Sequence, residues 1–266
     1  MPQRTKHAPG TPSWTDLATP DVAASKQFYT TLFGWEVRDE DTGNPDMPYV
    51  IATQGGKTVA GMMKLSPEMQ AGGMPPVWST YVTVADVDTA ATTVGELGGT
   101  VLSAPMDVMI AGRMAVCADP TGAVFCLWQA KDSIGAELVN EPNSLVWNEL
   151  ITPDVENAKK FYAGLFGWKN ETMDTGGDGP PYTVWQLDGE ENAMGGAMPP
   201  PMEGMPPFWG VYFAVADCDA TVARAKELGA NVIMEPTDIP GVGRFATLVD
   251  PQGAAFSVMK MANEQR

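Results

Sequence analysis

The sequence has very few of the side chains that bind transition metals or form disulfides. Its 266 residues include one histidine, His7, and three cysteines, Cys117, Cys126 and Cys218. An odd number of cysteines without a Cys-x-x-Cys spacing is typical of free thiols in a reducing compartment. The sequence therefore predicts neither a disulfide framework nor a zinc site of the usual Cys and His spacing, and we expect no cofactor.

Basic residues are also scarce. The chain has 16 lysines and arginines against 33 acidic residues, which gives a formal net charge of −17. Such a charge repels phosphate backbones and anionic lipid headgroups, so we expect no nucleic-acid and no membrane partner. Residues 1–10 lack the apolar run of a secretion signal, and no segment approaches the length of a membrane span. A cytoplasmic protein is the expectation.

The most informative feature is an internal repeat. The segment Trp14 to Trp35 matches Trp147 to Trp168 at thirteen of twenty-two positions, with an offset of 133 residues. Further on, GMPPVWSTYVTVAD is echoed by GMPPFWGVYFAVAD, and AGRMAVCADPTGAVFCLW by VGRFATLVDPQGAAFSVM. The chain is therefore a duplication, which we divide into a tail (1–10), domain 1 (11–130), a linker (131–144) and domain 2 (145–263).

Each half divides again into two similar units. A short strand is followed by Asp21, which is placed to cap an amphipathic helix that ends at Gly34. The same plan returns after Trp78, where Asp86 opens a helix that closes at Gly98. Strand-like segments follow each helix. The sequence therefore predicts an α+β fold of four βαβββ units, two in each half.

The strand–Asp–helix–Gly opening and the DPxG turn before a final strand resemble the vicinal oxygen chelate superfamily of glyoxalases, bleomycin-resistance proteins and extradiol dioxygenases. The doubled TPDV, FYxxLFGW and GMPPxW motifs are similar to those of tandem actinobacterial glyoxalase-like proteins, the mycobacterial culture-filtrate antigen group. The resemblance covers nearly the whole chain. It implies that two units form a cup of curved sheet in which His and Glu side chains hold a divalent metal. The four units of this chain would then form two cup-shaped mixed sheets, and one chain can build both cups, as a monomer or within a homodimer.

The positions where that resemblance places metal ligands carry other residues here. Seven residues before each capping Asp, and seven after the Asp of each DPxG turn, the chain has the following residues: Trp14, Ser79, Trp147, Gly210, Cys126 and Ser257. The third-strand positions fall near Met62, Met63, Met194 and Met198. These side chains do not supply the converging oxygen or imidazole donors that a divalent ion needs. We therefore predict no metal site of the usual kind, with shifted carboxylates at Asp16 and Glu149 as the alternative.

Strand alternation predicts what lines the cups instead, because every second residue shares a face. Four residues are candidate catalytic groups: Asp16, Glu149, Tyr81 and Tyr212. Six more are candidate ligand-binding residues: Trp14, Trp147, Cys126, Trp128, Ser257 and Met259. An aromatic lining with few polar groups is typical of a pocket for a small organic ligand. The two strand tryptophans at the lost-ligand positions either offer a stacking platform or simply fill the cups.

Two arginines stand at equivalent positions of the repeat. Arg113 and Arg244 each follow a glycine at the start of a strand. They are predicted to neutralise Asp16 and Glu149 by internal ion pairs, or alternatively to anchor a ligand carboxylate. Cys126 is either a reactive thiol or a small core residue.

Three hypotheses for function follow. The first is a metal-independent protein that binds a small, planar or amphiphilic organic molecule, as the antibiotic-sequestering members of the resembled superfamily do. The second is a metal-independent lyase, isomerase or cyclase with Asp16 or Glu149 as general base and Tyr81 or Tyr212 as oxyanion donor; glyoxalase-type detoxification of a dicarbonyl is its weaker form. The third is an interaction scaffold whose cups are filled.

Overall fold

The computed structural model describes residues 3–44, 48–173, 179–189 and 193–262. The first half contributes eight strands, as follows: β1 Pro12–Thr19, β2 Glu36–Glu40, β3 Tyr49–Gln54, β4 Lys57–Lys64, β5 Val77–Thr83, β6 Thr100–Val108, β7 Gly112–Ala118 and β8 Val124–Ala130. The second half repeats them: β9 Leu145–Ile151, β10 Lys169–Met173, β11 Tyr182–Gln186, β12 Gly195–Met198, β13 Phe208–Ala214, β14 Asn231–Ile239, β15 Gly243–Val249 and β16 Ala255–Met261.

In each of the four units a helix follows the opening strand, and a short fifth helix connects the first unit to the second. They are α1 Val22–Phe33, α2 Pro67–Ala71, α3 Val87–Glu96, α4 Val155–Phe166 and α5 Cys218–Glu227. The capping aspartates predicted from the repeat are confirmed: the Asp21 side chain accepts from the backbone N–H of Ala24. Gly34 ends α1 in the left-handed conformation, with φ of 71°, which a glycine adopts without a steric penalty.

The strands form two mixed eight-stranded sheets with the same order, β2-β3-β4-β1-β5-β8-β7-β6 and β10-β11-β12-β9-β13-β16-β15-β14. Within each sheet the opening strands of the two units are central neighbours and run antiparallel. The α+β class and the two cup-shaped sheets of four βαβββ units are therefore confirmed.

The helices pack between the two sheets, so the main cores are shared by both halves. One core joins α1 to the sheet of the second half through residues such as Phe28, Phe213 and Phe256. The other joins α4 to the sheet of the first half, where Phe125 contacts Phe161. The opposite face of each sheet forms the cup.

A duplicated hydrogen-bond network crosses between the halves. The Tyr29 hydroxyl on α1 donates to Asp250 of the second DPxG turn at 2.9 Å and accepts from Trp78 Nε1 at 2.9 Å. Tyr162 and Asp119 repeat this arrangement, at 3.1 Å. The FY, GMPPxW and DPxG motifs are therefore parts of the contact between the halves. Among the helices in the described ranges, none is long and apolar enough to cross a membrane.

Candidate functional site

The strand register places the predicted cup residues on one face. Across β1 and β5, Trp14 lies opposite Tyr81 and Asp16 lies opposite Ser79. Across β5 and β8, Tyr81 lies beside Cys126. Directly opposed residues of neighbouring strands share a sheet face, so these side chains converge in the first cup.

Asp16 is the centre of a hydrogen-bond network in this cup. Its Oδ2 accepts from the hydroxyl of Tyr81 at 2.9 Å and from that of Tyr49 at 3.2 Å. The Tyr49 hydroxyl in turn accepts from Trp14 Nε1 at 3.0 Å. The other carboxylate oxygen, Oδ1, is buried without a hydrogen-bond partner. A chain of aromatic donors thus holds the carboxylate in place.

The second cup contains the same network, with Glu for Asp. Glu149 Oε2 accepts from Tyr212 at 2.6 Å, and its Oε1 accepts from Tyr182 at 2.8 Å. Trp147 Nε1 donates to the Tyr182 hydroxyl at 2.9 Å. A tryptophan, two tyrosines and a carboxylate therefore recur in a similar arrangement in both halves of the duplication.

A glycine makes room for one tyrosine in each network. Gly61 on β4 lies beside Asp16, and a Cβ placed on it would overlap the Tyr49 hydroxyl. Gly196 on β12 lies beside Glu149 and would overlap the Tyr182 ring in the same way. At each place, only a residue without a side chain lets the tyrosine reach the carboxylate.

Burial dominates the electrostatics of both carboxylates. Desolvation raises the pKa of Asp16 to about 6, against the opposing influence of the hydrogen bonds from Tyr81 and Tyr49. The same cause raises the pKa of Glu149, opposed by hydrogen bonds from Tyr212 and Tyr182. Burial next to Asp16 also raises the pKa of Tyr81 well above its usual value. These groups favour their neutral forms more than exposed ones would.

The residues present do not fit the divalent metal that the superfamily resemblance implies. Within the described parts of the chain, no group of three or more His, Cys, Asp or Glu side chains could hold a metal ion. The first cup offers one carboxylate, Asp16, and the second offers Glu149. Met62 points into the core, fully buried, and the positions beside the carboxylates are the glycines Gly61 and Gly196. A hard or borderline cation needs more converging donors than this.

The other predicted ligand-binding residues differ in what they contact. In the first cup, Cys126 and Trp128 pack in one buried cluster, and burial raises the pKa of the Cys126 thiol well above its usual value. A thiol with a raised pKa is a poor nucleophile, which favours the core role over the reactive one. In the second cup, Ser257 and Met259 lie across from Thr247 and Phe245. Thr247 Oγ1 is 2.9 Å from Ser257 Oγ.

The predicted ion pairs of Arg113 and Arg244 with the cup carboxylates are wrong. Arg113 forms a bidentate pair with Asp88, at 2.8 and 2.9 Å, and Arg244 does the same with Asp219, at 2.7 and 2.9 Å. Both arginines alternate with cup residues along their strands, so they lie on the helix side of the sheet. Each lies close to the acidic residue in the first turn of a helix. Their alternative role as ligand anchors stays a prediction that this placement does not favour.

Tyr49 and Tyr182 are the site residues that the strand patterns missed. Tyr49 begins β3 and Tyr182 begins β11. Each of these strands pairs with the strand that carries the glycine, β4 or β12, and that strand pairs in turn with the strand that carries the carboxylate, β1 or β9. The repeat holds a signal for them, because Pro48-Tyr49 recurs as Pro181-Tyr182 with the same offset of 133 as the opening segment. A doubled aromatic outside the opening strands was the available indication.

When Glu149 is ionised, the second cup presents mainly hydrogen-bond acceptors to a ligand. Each tyrosine uses its only O–H on Glu149, and Trp147 uses its N–H on Tyr182. Free lone pairs remain on the carboxylate. The arrangement suits a planar molecule whose hydroxyl or ammonium groups donate hydrogen bonds.

Comparison with known families agrees with the fold. The family model of the Glyoxalase/Bleomycin resistance protein/Dioxygenase superfamily matches residues 11–127 and 144–258. A "Putative glyoxylase CFP32" of Mycobacterium tuberculosis is 47% identical over 265 residues, covering 100% of both chains. An "Anthracycline biosynthesis protein DauV" of Streptomyces sp. (strain C5) is 41% identical over 271 residues, covering 97% of this chain and 95% of the relative.

Solved structures share the architecture at low sequence identity. The Mn(II)-bound glyoxalase from Novosphingobium aromaticivorans has a TM-score of 0.64 at 18% identity, covering 95% of this chain and 82% of that one. The 2,3-dioxygenase LapB from Pseudomonas sp. KL28 has a TM-score of 0.61 at 15% identity, covering 98% and 93%. At these identities the similarity concerns the fold alone.

Proposed function

The chain belongs to the Glyoxalase/Bleomycin resistance protein/Dioxygenase superfamily, and we propose that it binds a planar, hydroxylated organic molecule through aromatic and hydrogen-bonding contacts in place of a metal. The observation that carries this proposal is the duplicated network of tryptophan, tyrosine, carboxylate and tyrosine. Its residues occupy or adjoin the positions where the superfamily resemblance places metal ligands. The indole offers a flat contact surface, and the carboxylate accepts hydrogen bonds.

The charge of the cup narrows the ligand class. The hydrogen-bond network of Glu149 contains no cationic side chain. Arg113 and Arg244, the two arginines at equivalent positions of the repeat, pair with acidic residues on the helix side of each sheet. An anionic ligand would therefore meet an uncompensated carboxylate at short range and the field of a strongly acidic chain. A neutral or cationic ligand with phenol-type hydroxyls avoids both penalties.

The relatives support a polycyclic aromatic ligand. DauV, at 41% identity, is named as a protein of anthracycline biosynthesis. Anthracyclines are planar, hydroxylated polycyclic molecules, which is the shape and polarity that the cup residues suit. We extend this to the present chain as a ligand class only.

The experiment is a binding titration with a matched ligand pair. A neutral dihydroxyanthraquinone is titrated into the protein and followed by tryptophan fluorescence, and an anthraquinone sulfonate of similar size serves as the anionic control. We expect saturable quenching with the neutral compound, and affinity weaker by about tenfold or more, roughly 1.4 kcal/mol, with the anion. Equal affinities, or no saturable signal with either compound, would contradict the proposal.

A second candidate function rests on the raised pKa of the buried carboxylates. In this second candidate function, Glu149 takes a proton from an acidic C–H or O–H of the bound molecule and leaves an enolate or phenolate. Once protonated, the carboxyl group no longer needs the Tyr212 O–H, which is then free to donate to the new oxyanion. Turnover by wild type that persists in a chelator and is lost in Glu149→Gln would support this isomerase or lyase activity. Unchanged turnover in that variant would reject the role.

A further inference from the structure

A segment of the linker closes the first cup, and within the described residues the second cup has no equivalent segment. We call residues Ser133–Glu137 the strap. Ala136 N donates to the carbonyl of Ser13 on β1 at 2.8 Å, and Trp128 Nε1 donates to the carbonyl of Ser133 at 3.0 Å. Glu137 N donates to the carbonyl of Thr58 on β4 at 2.9 Å. The strap therefore bridges three strands at one end of the cup.

The N-terminal segment holds the strap from outside. Arg4 N donates to the Glu137 carbonyl at 2.8 Å, and Gln3 Nε2 donates to the Glu137 side chain at 2.9 Å. His7 Nε2 is 2.8 Å from the carbonyl of Ala136. Three residues of the predicted tail thus fix two residues of the predicted linker.

The strap leaves little room inside the first cup. Ala136 is fully buried and packs with Trp14, Tyr81, Cys126 and Trp128 in one apolar cluster. A Cβ on Gly135 would lie 2.5 Å from the Ser13 carbonyl oxygen, so the strap is in direct contact with β1. A planar ligand that reached Trp14 would first have to displace the strap.

The second cup is more open and more polar. Trp147 and Glu149 are half-buried, whereas Trp14 is 8% exposed and Asp16 is 2% exposed. Trp147 belongs to none of the buried apolar clusters found in the described parts of the chain. The second cup has the hydroxyl pair of Thr247 and Ser257 at the positions where the first cup has Val116 and Cys126.

We propose that the second cup is the ligand-binding site of this chain and that the first cup is a sealed structural copy, closed by the strap. This inference rests on the proposed function for the identity of the ligand. It assigns binding to Trp147, Tyr182, Glu149 and Tyr212, with Phe245 and the Thr247–Ser257 hydroxyl pair as the facing wall. The equivalent residues of the first half lie in its closed interior and bind no ligand.

The first test needs no ligand. Seven of the eight tryptophans are between 1 and 8% exposed, and Trp147 alone is half-buried. Acrylamide quenching should therefore report mainly on Trp147. We expect the accessible component of the emission to be lost in Trp147→Phe and kept in Trp14→Phe. Loss in Trp14→Phe, or equal losses in both variants, would overturn the assignment of the open cup.

The second test locates the ligand. A dihydroxyanthraquinone is titrated by calorimetry into Glu149→Gln and into the matched Asp16→Asn. We expect affinity to fall by about tenfold or more in the former, because the amide NH2 group replaces an oxygen that accepts from one of the two tyrosines, and to change by less than about twofold in the latter. Comparable losses in both variants would overturn the inference. If wild type binds none of the compound, the proposed function fails, while the quenching result still decides which cup is open.

Discussion

Replacing the buried carboxylate of the first cup should change how stability depends on pH. Asp16 has its pKa raised from 3.8 to about 6 by burial, so the folded protein holds a proton that the unfolded chain has already released between these values. The folded state therefore becomes less stable, relative to the unfolded state, as the pH rises through this window. This is the reverse of the usual contribution of an aspartate in an ion pair.

The magnitude follows from the shift. A change of about 2.2 pKa units at 1.36 kcal/mol per unit gives a penalty of ~3 kcal/mol once the pH exceeds the folded value. Because the unfolded carboxyl is already partly ionised at about pH 4.5, roughly 2 kcal/mol of this penalty develops between about pH 4.5 and pH 8. Asp16→Asn cannot ionise, so it is free of this penalty.

The assay is urea unfolding of wild type and Asp16→Asn at a series of pH values, followed by far-UV circular dichroism. The other carboxylates titrate in both proteins, so their contributions cancel in the difference between the two free energies of unfolding. We expect this difference to move in favour of the variant by about 2 kcal/mol from about pH 4.5 to pH 8. A difference that is independent of pH would refute the assignment of Asp16 as a carboxylate whose desolvation outweighs its hydrogen bonds.

Four further variants test the glycine contact, the network between the halves, the position of the arginine and the strap. Gly196→Ala should displace the tyrosine that it accommodates and weaken dihydroxyanthraquinone binding by about tenfold, measured by calorimetry; unchanged affinity would contradict the role of this glycine. Tyr29→Phe should lower the free energy of unfolding by ~2 kcal/mol, because it leaves buried partners in both halves unpaired, and a wild-type unfolding curve would reject that network. Arg244→Gln should leave ligand affinity unchanged, since the arginine lies on the helix side of the sheet; a lost affinity would restore it as an anchor. Glu137→Ala should loosen the strap and increase acrylamide quenching of Trp14, measured in a Trp147→Phe background.

The internal repeat predicted the four βαβββ units, and the superfamily resemblance predicted that they form two cups. The offset between the halves placed the capping aspartates and the central strands, and strand alternation then placed Trp14, Asp16 and Tyr81 on one face. These inferences depend on local chemistry and on a period of two residues, both of which are visible in one chain.

The partners of the carboxylates depend on contacts across strands and were not predictable in the same way. Tyr49 meets Asp16 only because β3 and β4 place it over Gly61, and strand order is not encoded in a local pattern. The arginine ion pairs failed for a related reason. Arg113 directly precedes the cup residue Met114 on β7, and neighbouring residues of a strand point to opposite faces of the sheet.

The closed state of the first cup also lay outside the reach of sequence patterns. Residues 131–144 have the composition of a linker, and nothing in that composition indicates that Ala136 becomes fully buried beneath Trp14. The duplicated FYxxLFGW and DPxG motifs likewise give no local indication of a contact between the halves. Their role in joining Tyr29 to Asp250 across the halves required the packing of two sheets around shared helices.

Metal-independent binding in the second cup alone is tested most simply by the binding stoichiometry of a neutral dihydroxyanthraquinone, measured by calorimetry on chelator-treated wild-type protein. An open second cup that works through organic contacts predicts one molecule bound per chain, with an affinity that chelator treatment leaves unchanged. Two molecules per chain would contradict the sealed first cup, and binding that disappears with the chelator would contradict recognition without a metal.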